Sequence, residues 1–544
     1  MSVRGSTLRR AMQDVTIAWM FGVVWMSCVT GSRLTNFALC LGFRDEHFGL
    51  MAAITFAATF GQFTSVILIE RSGLRKYLFL WCGVASRAMW IAIAAIPLIL
   101  PVPSPWTVWT MLVLVAASSV LMSLIEPAWH TWMGDLIPRR IRGRYFASRA
   151  RWSTAVKVPL IVVLAMILER ITAKGEGISM TAAEQPALLT AISVVFAGAG
   201  VLGILDILRF RRIRDVVSPA ATGLARAPSR VQAGPDERSA PRRGGSVWGA
   251  LAWEVRRLLL APLADRAFRR YVFYGGCMMF AMGVAQSYFW LFVLEELGLG
   301  QLGADMLFMV LGPLAAWAAV GGWGKLIDRW GRRPVLMLAT ACTVVSIMPY
   351  FFAARMTPNP QFVSDAINGF SRLVGGVFGQ AGWQWVDGRT PVGSWLVMSV
   401  SMLFGGAGWS GVMLAQQGII LGFSDLPGRS KHVAAYRVLV SLGGLIGGLA
   451  GAGTVMLLSD LKDEPIVLGP LLWNQWHGTF ALSWLARITA LVSLVGMPDP
   501  GSRRFRDMAR YLGTNVYGQI GTFLMYPTRL FTRRFRTRPP HGKR

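Results

Sequence analysis

Twelve apolar runs, each long enough to be a membrane-crossing helix, dominate this chain and restrict it to one broad class of fold. They fall at 15–40, 48–69, 77–100, 106–128, 146–168, 187–208, 271–294, 303–326, 334–354, 394–421, 432–457 and 477–497. A helix needs about 20 residues to cross a hydrocarbon core of about 30 Å. In lipid each run must satisfy its own backbone hydrogen bonds, which a helix does. A membrane β-barrel would show segments of about 10 residues alternating apolar and polar, and these runs do not alternate. Composition agrees: 15% of the residues are charged, against about 25% in a soluble domain, and the mean hydropathy is +0.48. The expected fold is all-α, with twelve transmembrane helices.

The net charge of +28 invites a nucleic-acid partner, but the distribution of the charge argues against one. The N-terminus, the even-numbered loops and the C-terminal tail hold about six times as many Lys and Arg as the odd-numbered loops, the asymmetry of the positive-inside rule. Both termini are then cytoplasmic, as an even number of spans requires. The basic excess suits anionic lipid headgroups, and no nucleic acid is expected. Arg4, Arg9 and Arg10 precede the first run as in a signal peptide. That run is too long for one and is soon followed by a second, so it reads as an uncleaved helix. Cys28, Cys40, Cys82, Cys277 and Cys342 all fall within spans and form no CxxC pair, which reads as apolar packing rather than a metal site or a disulfide framework. No cofactor is expected. HExxH, GxSxG and paired midspan acids are absent from the sequence, so an enzyme is not expected.

The chain divides into 1–208, a six-helix bundle; 209–270, a cytoplasmic linker; 271–498, a second six-helix bundle; and 499–544, a basic cytoplasmic tail. Ser218–Ser246 is rich in Pro, Ala, Gly and Arg and poor in large apolar residues, the composition of a disordered segment. Trp248, Leu251, Val255, Leu258 and Leu259 then recur at helical spacing beside Arg256 and Arg257, which predicts a helix on the cytoplasmic membrane surface. The tail mixes arginines with short apolar stretches, and surface attachment is expected there too. The two bundles echo each other. Glu70-Arg71-Ser72-Gly73-Leu74-Arg75-Lys76 follows the second span, and Gly324-Lys325-Leu326-Ile327-Asp328-Arg329-Trp330-Gly331-Arg332-Arg333-Pro334 follows the eighth. A looser echo pairs Asp135-Leu136-Ile137-Pro138 and Tyr145 with Asp425-Leu426-Pro427 and Tyr436. Paired halves are a mark of transporter folds.

These two loops resemble the major facilitator superfamily signature G-x-x-x-D-R-x-G-R-R/K. The second copy fits at every fixed position, through Gly324, Asp328, Arg329, Gly331, Arg332 and Arg333. In the first copy Glu70 stands for the Asp, with Arg71 and Gly73 in place, while Val66 and Leu74 depart from the pattern. Gly73 and Gly331 suit a tight turn where φ is positive, and a carboxylate at a helix end can accept charge-assisted bonds from arginine or a helix N-terminus. The resemblance implies a fold of two pseudo-symmetric six-helix bundles. It also implies that this cluster acts as an inner gate holding the outward-facing form; read without the family, it is a topology-setting basic turn. The function implied is secondary transport of a small solute by alternating access, with or without a coupling ion. A transporter-like sensor or scaffold without flux is the alternative. A bacterial inner membrane is the expected location.

A second polar cluster, with Glu126, His130, Asp135, Arg142 and Arg144, sits at the inner ends of spans four and five. It reads equally as a further part of the inner gate or as a solvated basic loop. Ionisable groups inside a membrane are costly and are functional candidates. Lys157 lies near the midplane of span five, Arg87 and Arg487 well inside spans three and twelve, and Arg33 with Asn36 in the outer part of span one. Gln286 is near the middle of span seven. By resemblance, spans one, four, seven and ten line a central cavity while three, six, nine and twelve are peripheral. That ranks Arg33, Asn36, Lys157 and Gln286 first as substrate-pathway residues, each against a reading as a snorkelling or helix-packing group. Asp206 and Asp305 are expected near span ends, and no acid near the middle of any span. Buried cations without buried acids point to an anionic or sugar-like solute.

Overall fold

A computed structural model describes residues 5–72, 74–137, 139–172, 186–213, 261–353, 357–377, 391–423, 429–468, 471–497 and 502–512. The expected surface helix at 248–259 and most of the tail lie outside the described residues.

The elements are almost all helical. Span one is α1 (Gly5–Cys28) with α2 (Ser32–Cys40), and span two is α3 (Asp45–Ala58) with α4 (Gly61–Ser72). Spans three to six are α5 (Arg75–Ile99), α6 (Pro105–Leu136), α7 (Arg139–Thr172) and α8 (Pro186–Arg209). Span seven is α9 (Arg266–Leu291), ending in a π-turn at Phe292–Glu296. Span eight is α10 (Gln301–Asp305), a π-helical stretch at Met306–Leu311 and α11 (Gly312–Trp330). Span nine is α12 (Arg332–Val345) with α13 (Met348–Phe352). In the following loop α14 (Gln361–Val377) is too polar to span, and a two-stranded hairpin, β1 (Ile466–Leu468) with β2 (Leu471–Trp473), lies in the last outer loop. Spans ten to twelve are α15 (Val392–Phe423), α16 (Arg429–Leu457) and α17 (Gln475–Ser493). Among the described residues nine helices are long and apolar enough to cross a membrane, and the α1–α2 pair makes a tenth. The α3–α4 pair and α17 occupy the other two places expected of twelve.

Local chemistry explains the boundaries. The Ser104 side chain accepts from Thr107 N–H at 3.3 Å, and Pro105 sits at the first helical position, where its missing N–H costs nothing. Span one breaks at Gly31, whose φ of +77° a side chain would resist, and α2 leaves α1 at 46°. A Cβ on Gly31 would also meet Met309 at 2.6 Å, so the break is where this span touches span eight.

The α16 glycines serve two interfaces at once. Gly443, Gly447 and Gly451 press on the span-seven backbone at Gly276, Phe280 and Val284, while Gly444 and Gly448 press on Phe56 and Ala53 of span two. Small residues let helix backbones approach closely in lipid. Here they bring span two of one bundle against span eleven of the other.

The apolar core has three parts. One contains residues from both bundles, from Trp25, Phe37 and Phe196 to Tyr288, Tyr350 and Phe480, at the end that the basic loops assign to the outside. The other two lie at the opposite end and are each confined to one bundle: Val15, Phe79, Trp132 and Phe210 in the first, Tyr271, Trp330, Tyr436 and Met508 in the second. The halves thus share a core at the outer end and keep separate cores at the inner end.

Candidate functional site

The shared core is stitched by polar contacts between the bundles. Arg33, one residue past the N-terminus of α2, meets Asp305 at 2.5 Å with both side chains fully buried. Ser32 donates to the same carboxylate at 2.9 Å, and Arg33 also donates to the Thr30 carbonyl at 3.2 Å. The Glu169 carboxylate, at the outer end of span five, accepts from Leu302 N–H at 3.3 Å. At the outer mouth Asp45 accepts from Lys462 at 3.4 Å and from Gln475. Burial pushes the Asp45 carboxyl up from its ordinary value, and the Lys462 ammonium pulls the other way. At the inner end the described link is slighter. Arg437 lies 3.4 Å from Glu126, with side chains 50% and 43% exposed, and Glu126 also accepts from Gln62 at 2.6 Å. An exposed pair of this kind contributes little.

Below the outer closure lies a cavity of about 760 Å³. It runs from Gly31, Leu34 and Thr35 past Trp25, Arg87 and Asp206 to Trp129, Arg149 and Phe210. Gln286, Ser287, Trp290 and Met309 are the contribution of the second bundle. The guanidinium of Arg87 stacks on Trp25 at 3.5 Å from the ring centroid and lies 3.9 Å from the Asp206 carboxylate. Arg149 stands over Trp19 at 4.1 Å and over Trp129 at 4.8 Å. Two glycines make room for the pair. A Cβ on Gly203 would lie 2.7 Å from Arg87 Cδ, and one on Gly22 would lie 2.6 Å from Asp206 Oδ2.

The residues singled out in the sequence are therefore distributed over several places. Gln286 lines the cavity. Arg33 is engaged in the outer closure, with Lys157 within electrostatic reach of it and of Asp305. Asn36 is fully buried, and neither its Nδ2 nor its Oδ1 finds a partner among the described residues. Asp206 and Asp305, expected near span ends, are both deeply buried. Asp206 lies a full turn inside the end of its span, and Asp305 closes the first turns of span eight against α2. Arg87 lines the cavity although span three is peripheral by resemblance. An arginine reaches far, and a helical side chain leans towards the helix N-terminus, here the inner end. Arg487 instead turns away, donating to the Thr343 carbonyl at 2.8 Å.

In the signature loops, Gly331 has a φ of +90° and ends α11. Arg329 donates to Tyr511 at 2.7 Å, Arg333 donates to the Leu494 carbonyl at 3.0 Å, and Arg503 N–H donates to the Trp330 carbonyl at 2.9 Å. The start of the tail thus packs on this loop, with Met508 fully buried. Gly324 has open space around it, and Arg332 is half-buried. Asp328 is exposed and makes no ion pair or hydrogen bond among the described residues. Gly73 and the side chains of Glu70, Arg71, His130, Asp135, Arg142 and Arg144 lie outside the described residues.

A family model described as "Major Facilitator Superfamily" matches residues 26–379. The chain belongs to the Major Facilitator Superfamily. It is accordingly an integral, multi-pass membrane protein with a transporter's fold. Solved structures share that fold at low identity. A mutant of the nucleoside transporter NupG is 10% identical, with a TM-score of 0.57 over 90% of this chain and 100% of that one. The xylose transporter XylE from E. coli, in a partially occluded inward-open conformation, is 12% identical, with a TM-score of 0.54 over 92% and 100%. A POT family transporter in complex with 5-aminolevulinic acid is 10% identical, with a TM-score of 0.54 over 90% and 96%. No curated protein sequence matches. Arg149 in the cavity and Ser32, Asp45, Glu169 and Lys462 at its closure were not singled out in the sequence, while Arg87, Asp206 and Asp305 were located there but not ranked as substrate-pathway residues. Apart from Ser32, their signal was an ionisable residue in or beside an apolar run; nothing local showed which of them would meet.

Proposed function

We propose that this protein is a secondary transporter that moves a small anionic or sugar-like solute by alternating access, in the state with its outer end shut. The observation that carries the reading is the division of the core: one cluster shared by both bundles at the outer end, two separate clusters at the inner end. A cavity lies between these levels, and on this reading it opens to the inner side alone. Rocking the bundles would break Arg33–Asp305, Asp45–Lys462 and the α3–α16 glycine contact. It would close the inner loops, where the signature residues and the second polar cluster lie. Asp328 is exposed and has no ion pair among the described residues, which supports a gate that is released in this state. The charge asymmetry of the loops supports cytoplasmic termini and an inner end that faces the cytoplasm.

The test needs no substrate. Spin labels on Trp106→Cys and Glu464→Cys, in a chain whose five native cysteines are replaced by alanine, report the distance across the outer end. A short-distance population is expected, with a longer one that grows when Arg33→Gln and Asp305→Asn together remove the outer lock. A single population unmoved by that double substitution would overturn the reading.

A further inference from the structure

The cavity wall carries an arginine whose donors are not all met among the described residues. A guanidinium has five N–H donors. Among the described residues, the acceptor that Arg87 reaches at hydrogen-bonding distance is the Met122 sulfur, at 2.8 Å. Asp206, at 3.9 Å, is an electrostatic partner but too far for a hydrogen bond. Among the described residues the Arg87 Nε has no acceptor, and neither has the indole N–H of Trp25 on which it stacks. Both residues are more than nine-tenths buried and both line the cavity. Unmet donors of this kind are expensive in an interior, and here the cavity alongside gives a solute room to supply the acceptor. Arg149, on the same cavity, lies within electrostatic reach of Asp206.

We propose that Arg87 is the anchor for the anionic group of an aromatic or otherwise apolar solute, with Asp206 as the internal counter-ion which that group displaces. This deepens the transporter reading and rests on it. The fork of a guanidinium fits a carboxylate or phosphate edge-on while its face stays on an aromatic ring, and Trp25 already holds that face. The body of the solute has aromatic walls to lie against: Trp19, Trp90, Trp129, Phe79 and Phe210. The volume falls within the roughly 300–1,000 Å³ typical of small-molecule sites. Gly22 and Gly203 hollow the recess in which the pair sits, so the geometry belongs to the backbone as well as to the two side chains.

Equilibrium dialysis of the full chain in detergent, at low chloride, tests this with 2-naphthoate, its neutral analogue 2-naphthamide and glucose. Saturable binding of the acid is expected. The amide should bind at least about tenfold more weakly, the discrimination that a charged hydrogen bond supplies, and glucose should not bind. Asp206→Asn removes the internal competitor and should tighten naphthoate binding. Arg87→Gln alone would leave the Asp206 carboxylate with less compensation, so the paired variant Arg87→Gln with Asp206→Asn is used. It should keep a cooperative melt and lose the preference for the acid. Equal binding of acid and amide, or an unchanged acid preference in the folded paired variant, overturns the assignment. If no probe binds while the spin labels still report two outer-end populations, Arg87 is not the anchor and the transporter reading stands. If the second population is missing as well, both fall.

Discussion

Arg33 and Asp305 join span one of the first bundle to span eight of the second, whereas Arg87 and Asp206 stay within the first bundle, between spans three and six. All four residues are at most 5% exposed, and the Nε of each arginine lacks a partner among the described residues, yet the pairs differ in distance, accessory bonds and surroundings. The first closes to 2.5 Å, with Ser32 and the Thr30 carbonyl taking up further hydrogen-bonding capacity. The second stands at 3.9 Å, with donors unused and a cavity alongside. A buried ion pair offsets its desolvation only when geometry and accessory hydrogen bonds are good. The tight pair meets that condition and can act as a latch between moving bodies. The loose pair does not, and its incompleteness makes it available to a solute.

The largest expected difference is in stability. Arg33→Gln strands the Asp305 carboxylate in a dry interface and should cost about 3–5 kcal/mol, read as a lower Tm in detergent. Arg87→Gln should cost clearly less, because Asp206 keeps the field of Arg149 and borders a cavity that water can enter. Equal losses would erase the distinction between latch and anchor. A smaller effect comes from the glycine contact that holds the latch in register. A side chain on Gly448 would press on the Ala53 backbone, at 2.6 Å for a Cβ. Gly448→Val should therefore disfavour the outer-closed state by about 1–3 kcal/mol and enlarge the longer-distance population, while Gly453→Ala, with open space around it, should leave it unchanged. If Gly448→Val leaves the distances as they were, the latch does not depend on that contact.

The smallest effect is a pH dependence at the outer mouth. Asp45 has its carboxyl raised above 3.8, chiefly by burial, against the pull of Lys462. The folded state then holds this proton more tightly than the unfolded chain, so the contribution of Asp45 to stability falls as pH rises through the window that opens at 3.8. Asp45→Asn should remove that slope from a plot of Tm against pH. A slope unchanged by the substitution would place the titrating group elsewhere.

Much of the architecture was legible because it is written in local pattern. Apolar runs, the second signature loop and the small-residue stripe of Gly443 to Gly451 all depend on residues near one another in the chain. The candidate site was legible only in part. Depth along a span singled out Arg33, Arg87 and Lys157, since an ionisable residue in an apolar run is conspicuous. Depth did not say which way each faced. Arg87 was ranked below Lys157 on the position of its span, yet it is Arg87 that reaches the cavity.

The sequence alone therefore determined the solvent, the helical class, the two-bundle organisation and the family, because lipid forces every crossing segment to declare itself by length and hydrophobicity. The tertiary structure decided which charges meet. Arg33 and Asp305 are 272 residues apart, and no local pattern joins them. Whether a buried arginine is a latch or an anchor depends on which backbone bends towards it, as at Gly31, and which leaves room, as at Gly203. Coulomb energy changes steeply with both distance and surroundings, so an ångström or two of packing separates the two roles.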